Sequence, residues 1–263
     1  MSLVVEGLCW GHAVPGGGRR ELFRNFDFQS RRGEFTVVIG SNGSGKSTFL
    51  NLLAGTLRCD SGSIRLNDQP LQKLPDHRRA RRIGRVMQNP LEGTCPGLTI
   101  AENLRLAEGR RRSTIGWQGL RGIHPNQADR RRYRDLLEQL GLPLADRLDS
   151  LVGLLSGGQR QTISLVMASL GNPELLLLDE HTAALDPKAE AMVMALTDRL
   201  VEQLGCTTLM VTHSLSQALR HGDRLVMLHD GQQVGGWDAA QRQQLTTEAL
   251  QEMYGAVRVS TTP

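Results

Sequence analysis

The sequence predicts an α/β fold with a parallel sheet at its centre, and three observations carry that prediction. An apolar, β-branched run, Phe35-Thr36-Val37-Val38-Ile39, leads into a glycine-rich turn. Phe49, Leu50, Leu52, Leu53 and Leu57 then recur at helical spacing. A second apolar run, Leu175-Leu176-Leu177-Leu178, ends in two acids, Asp179 and Glu180. A third, Thr207 to Thr212, reads as another strand buried on both faces. Strand, turn and helix in succession are the rhythm of a parallel sheet. A chain of 263 residues is long enough for such a core and a second, smaller subdomain.

The turn after the first run is Gly40-Ser41-Asn42-Gly43-Ser44-Gly45-Lys46-Ser47-Thr48, which matches G-x-x-x-x-G-K-[ST]. Its glycines let the backbone wrap closely round a polyphosphate. The N–H groups at the helix start point inward with the positive end of the helix dipole. Lys46 supplies a point charge to the β- and γ-phosphates, and Ser47 a hydroxyl ligand to Mg²⁺. The bland alternative is a glycine-rich turn carrying a surface lysine. The complete set of fixed positions between a strand and a helix favours the nucleotide.

Composition narrows the class. The formal charge is +4 and the pI about 9.2, but the basic excess is local. From Arg105 to Arg134 there are nine arginines against two acids, Glu108 and Asp129, with Trp117 and Pro125 interspersed. The runs Arg110-Arg111-Arg112 and Arg130-Arg131-Arg132 read as a face for acidic lipid or a partner loop, or as a solvated helix face or loop. Cys9, Cys59, Cys95 and Cys206 are scattered without a C-x-x-C pair. Neither a disulfide framework nor a zinc site is expected, and a reducing compartment fits best. The N-terminus lacks a basic segment leading into a long apolar one, and the apolar runs are too short to span a bilayer. A soluble cytoplasmic protein able to work against a membrane is the expectation.

In chain order, Leu3 to Trp10 and Leu22 to Phe28 read as strands around a loop holding Gly16-Gly17-Gly18. Trp10 is a core or interface aromatic, or a ring for a purine to stack on. Ser63 to Leu66 is a short strand ending in an Asn67-Asp68 turn. Pro75 to Arg82 is a basic helical turn, and Ile83 to Met87 a strand closed by Gln88 before Asn89-Pro90. Gln88 reads as a turn residue, or as a residue that ligates Mg²⁺ or senses the γ-phosphate. Residues 89 to about 158, with Leu136, Leu137, Leu140 and Leu142 at helical spacing, form a helical subdomain inserted into the α/β core. It closes on Leu155-Ser156-Gly157-Gly158-Gln159, and an apolar helix follows from Ile163 to Leu170. Ser-Gly-Gly opening a helix is a second ready anion site, or an ordinary N-cap. At the tip of the leucine strand, Asp179 suits a Mg²⁺ shell, and Glu180 can orient and deprotonate a water. Ala183-Ala184-Leu185-Asp186-Pro187 turns into a helix. His213 stands at the end of the next strand, where α/β sheets present ligand residues. Leu225 to Leu228, Asp230-Gly231 and Gln232 to Val234 make a hairpin. A short helix, Thr247 to Tyr254, follows.

This set of motifs, in this order, resembles the ATP-binding subunit of an ABC transporter over essentially the whole chain. The resemblance implies a P-loop NTPase with a RecA-like core and an N-terminal antiparallel β subdomain in residues 1–88 and 159–263, and an inserted helical subdomain in 89–158 that ends in the signature. By that likeness Trp10 stacks on adenine, Gln88 joins Mg²⁺ to the transporter contact, and Asp179 and Glu180 are the Mg²⁺-linked aspartate and the catalytic carboxylate. Asp186 crosses a dimer interface, and His213 contacts the γ-phosphate. The implied unit is a head-to-tail dimer that binds MgATP between Lys46 of one subunit and Ser156-Gly157 of the other. It would work with membrane permease subunits and a separate substrate-binding protein. Ser41 and His181 stand where proline is frequent in the family, and the helix after the signature lacks the usual arginine near its end. None of these departures removes a reacting group. The run from Asp179 to Pro187 is similar to an importer branch whose substrates include amino acids.

Two rival classes are weaker. A regulatory ATP-binding module would be expected to lose the base or the histidine, and Glu180 and His213 are both present. Chromosome and repair ATPases of the superfamily insert long coiled coils between loop and signature. No sustained heptads lie between Lys46 and Ser156.

Overall fold

The computed structural model describes residues 2–109 and 123–259. Arg110-Arg111-Arg112 and Trp117 therefore lie outside the described residues. The chain forms two compact bodies, one of Met1–Arg79, Leu177–Glu180 and Gly205–Pro263, the other of Ala80–Leu176 and His181–Leu204. The second body contains the described residues of 89–158.

The elements run β1 Leu3–Ala13, β2 Arg19–Ser30, β3 Phe35–Gly40, α1 Lys46–Ala54, β4 Ser61–Leu66, β5 Gln69–Pro70, α2 Asp76–Arg82, β6 Ile83–Val86, α3 Pro90–Gly93, α4 Ile100–Gly109 and α5 Gln127–Gln139. They continue as α6 Gly157–Ser169, β7 Leu175–Asp179, α7 Pro187–Leu204, β8 Thr207–Val211, α8 Leu215–Arg220, β9 Arg224–His229, β10 Gln232–Asp238, α9 Ala239–Arg242 and α10 Thr247–Val259.

In the first body β1 lies between β2 and β4 in an antiparallel sheet of order β2-β1-β4-β5. Asn67 and Asp68, both at positive φ, make the tight turn from β4 to β5. Behind this sheet lies an aromatic cluster. Phe49 of α1 packs against Phe23, Phe26 and Phe28 of β2 at ring separations of 6.2, 5.3 and 5.2 Å. These contacts fix α1 against β2 and so position the loop that precedes α1. The other sheet of this body runs β10-β9-β3-β8-β7. Its middle strand β3 is buried at all six residues and pairs in parallel with β8 and β9. Val, Ile and Leu dominate β3 and β7, which are buried along their whole length, because such strands are covered on both faces. β3, β7 and β8 end at Gly40, Asp179 and Val211, and C-terminal strand ends are where α/β sheets bind ligands.

In the second body α6 packs against α7, α4, β6 and α3. Ten residues of α6 are buried, which explains why its apolar pattern has no polar face. Tyr133 of α5 is fully buried and donates its hydroxyl to Glu108 at 2.7 Å. Of the predicted basic face, Arg130 and Arg132 pair with Asp149 and Glu108. Among the described residues no helix is long and apolar enough to cross a membrane.

Candidate functional site

The first body gathers one constellation. β3 stops at Gly40, where a Cβ would stand 2.3 Å from the carbonyl oxygen of Leu228 and 2.5 Å from the Ser44 hydroxyl, so only glycine fits. The loop enters α1 through Gly45, whose φ of 103° is left-handed and whose missing Cβ would lie 2.9 Å from the Phe23 ring. No side chain caps α1. Its first N–H groups are left for a ligand. The Asp230-Gly231 turn of the β9–β10 hairpin supports the loop from below, with the Gly231 N–H donating to the Ser44 carbonyl at 3.0 Å.

Lys46 is buried and donates to the carbonyls of Gly40 and Ser41 at 2.7 and 3.1 Å. Burial holds its ammonium below the usual lysine range, opposed by the Glu180 and Asp179 carboxylates. Ser47 donates to Oδ1 of the buried Asp179 at 3.0 Å. Glu180 follows in a left-handed backbone, φ 45°, with its N–H held by the carbonyl of Val211 at 3.0 Å. A bulky residue at positive φ stores strain, and such strain collects where a side chain must be aimed. His213, largely exposed, brings Nδ1 to 3.4 Å from Oε2 of Glu180. Trp10, Asn42, Gly43, Gly45, Lys46, Ser47, Thr48 and Glu180 line a single cleft of about 620 Å³. A long anion reaching from Trp10 to the helix start would meet a ring, a run of backbone N–H groups, an ammonium, a hydroxyl and a carboxylate in turn.

The second body carries the remaining predicted residues. Gln88 is exposed, two residues beyond the end of β6. Ser156 is the N-cap of α6 in a reciprocal capping box: its hydroxyl accepts from the N–H of Gln159 at 3.3 Å, and Oε1 of Gln159 accepts from the N–H of Ser156 at 3.2 Å. Ser156 and Gly157 are exposed. Gly158 is buried because α7 comes close, with a Cβ there only 2.7 Å from that of Ala189. Asp186 is exposed and accepts from the N–H groups of Lys188 and Ala189 at 3.1 and 3.0 Å, so its carboxylate caps α7. His181, buried, lies 3.0 Å by its Nε2 from the hydroxyl of Thr197.

Sequence reasoning missed His12, Arg20 and Leu22, which line the same cleft as Trp10. The signal was present: His12 is two residues from Trp10 on β1, hence on the same face, and the two rings stand 5.7 Å apart. It missed also the Asp230-Gly231 turn as a support of the loop, which only the tertiary fold reveals.

Loop, strand-end carboxylates and parallel sheet together define a P-loop ATPase. Comparison with known proteins places it further. The ABC transporter family matches residues 23–183. A tyrosine transport ATP-binding protein of Clostridioides difficile is 42% identical over 252 residues, covering 96% of this chain and 98% of its own. A putative hemin import ATP-binding protein of Staphylococcus aureus is 31% identical, covering 88% and 98%. Among solved structures, a dimeric ATP-binding cassette in a post-hydrolysis state bound to ADP and Pi superposes with a TM-score of 0.75 at 26% identity, covering 90% of this chain and 98% of that one. The chain belongs to the ABC transporter family and is an ATP-binding, ATP-hydrolysing subunit that powers transport.

Proposed function

We propose that this subunit drives import of an amino acid, of the aromatic class, through separate membrane permease subunits. The observation that carries this reading is the 42% identity to the tyrosine transport relative over nearly the full length of both chains. Two copies work head to tail at the cytoplasmic face of the membrane, and a separate binding protein delivers the substrate. Residues 89–158 serve as the helical subdomain that meets the permease.

Within the subunit, Trp10 stacks on adenine, and the backbone from Gly40 to Thr48, with Ser41, Asn42, Gly43, Ser44 and Gly45, wraps the phosphates. Lys46 exchanges its two loop carbonyls for β- and γ-phosphate oxygens, and the low local dielectric strengthens that contact. The hydroxyl of Ser47 and the carboxylate of Asp179, in contact at 3.0 Å, are hard oxygen donors that fit Mg²⁺, with Gln88 as a further ligand. The ion would neutralise charge between the β- and γ-phosphates. Glu180 aligns the attacking water and takes its proton, while His213, 3.4 Å from Glu180, contacts the γ-phosphate. Ser156, Gly157, Gly158 and Gln159 present the start of α6 to the γ-phosphate of the partner copy, and Asp186 lies at the interface.

The test is uptake. Cells depleted of this chain and carrying its Lys46→Ala variant should lose accumulation of labelled tyrosine that the parent chain restores. Equal accumulation with parent and variant would reject the substrate assignment.

A further inference from the structure

The signature helix α6 presents one stripe, Gln161, Ser164 and Ala168, at i, i+3 and i+7. Each of the three meets the segment that carries Gln88. A Cβ at Gly84 would stand 2.5 Å from the carbonyl oxygen of Ala168, and one at Gly93 2.8 Å from the Ser164 hydroxyl. Between them, Nε2 of the buried Gln161 donates to the carbonyl of Met87 at 3.1 Å, the residue immediately before Gln88. The stripe therefore grips the chain on both sides of Gln88. The grip begins four residues after Gly157. Gln161 is an uncommon choice for a buried helix position, because its amide must be satisfied. Its Oε1 and the Ser164 hydroxyl are buried and bond no other protein atom among the described residues. A leucine would fill the space without that cost.

We propose that Gln161 is a positioning residue that ties the backbone at Gln88 to the signature helix, so that a displacement of the Ser156-Gly157 end carries Gln88 with it. The inference rests on the reading of Gln88 as a ligand toward Mg²⁺. A rigid helix and one hydrogen bond are sufficient to transmit the motion, because packed elements shift as units.

The test uses the full chain with Gln161→Leu, and Gln161→Met as a second variant of similar volume should the first fail to fold. Two readouts are taken beside Gln88→Ala: the Mg²⁺ concentration for half-maximal ATP hydrolysis, and amide hydrogen exchange at residues 87–89 in nucleotide-free protein. Half-saturating Mg²⁺ should rise about 3- to 10-fold in the Gln161 variant, the worth of one neutral hydrogen bond, with KM for ATP unchanged at saturating Mg²⁺. Exchange at 87–89 should quicken while the melting temperature holds. If Gln88→Ala raises the Mg²⁺ requirement and the Gln161 variant does not, the tie is rejected and the Gln88 reading stands. If Gln88→Ala leaves the requirement unchanged, the Gln88 reading is rejected. Parental exchange at 87–89 in the Gln161 variant would overturn the tie in either case.

Discussion

Two helices begin at the residues that matter most here, and they begin differently. α1 starts without a side-chain cap, through a left-handed glycine, with Lys46 buried behind it. α6 starts with Ser156 and Gln159 satisfying each other, exposed to solvent. An uncapped, walled-in helix start is prepared for an anion before it arrives. A capped, exposed one is complete in the single chain and gains an anion only when another body delivers it. On the proposed head-to-tail arrangement, the first start is the half of an ATP site that one subunit owns and the second the half it lends.

The largest expected effect falls on the owned half. Glu180→Gln should retain ATP binding and lower hydrolysis by about 10²- to 10⁴-fold, the usual worth of a positioned general base. Near-parental turnover by purified protein would remove Glu180 from that role. Lys46→Ala should weaken ATP affinity roughly 10- to 100-fold, as expected for a charge-assisted contact, and calorimetry showing unchanged affinity would sink the phosphate assignment. Trp10→Ala should weaken ATP binding by about 3- to 10-fold, the scale of one aromatic stacking contact. Equal binding of ATP by this variant and the parent would return Trp10 to a packing role. The smallest effect concerns the lent half. Ser156→Ala removes a helix cap, so the melting temperature should fall by about 2–4 °C, from about 1 kcal/mol. An unchanged melting temperature would mean that the capping box contributes nothing in solution.

How much of this could be read beforehand depended on the kind of signal. The phosphate loop was legible because its residues are consecutive and each has a backbone reason: Gly45 for its φ, Lys46 for its reach, Ser47 for its hydroxyl. The buried strands were legible because burial on both faces leaves an unbroken apolar run, as in Leu175 to Leu178. The pairing of Ser47 with Asp179 was legible only as a shared chemistry, since the two lie far apart in sequence and meet through the order of strands. The left-handed backbone of Glu180 left no trace, because glutamate carries no preference for that region. Asp186 was read for an interface; what the fold shows is a carboxylate capping the N-terminus of α7, a role that Asp before Pro-Lys-Ala announces. Gln161 was hidden in an apolar helix, where a single polar residue reads as noise until its partner is known.

The contrast between the two helix starts is tested most directly by sedimentation of Glu180→Gln protein at high concentration, with MgATP, with ADP, and with Gly157→Asp added to the same background. MgATP should move the protein from monomer to dimer and ADP should not. The Gly157→Asp protein should stay monomeric while binding ATP as before, because a carboxylate at the start of α6 repels the partner's γ-phosphate. Dimerisation of the Gly157→Asp protein with MgATP as readily as its parent would contradict the shared site.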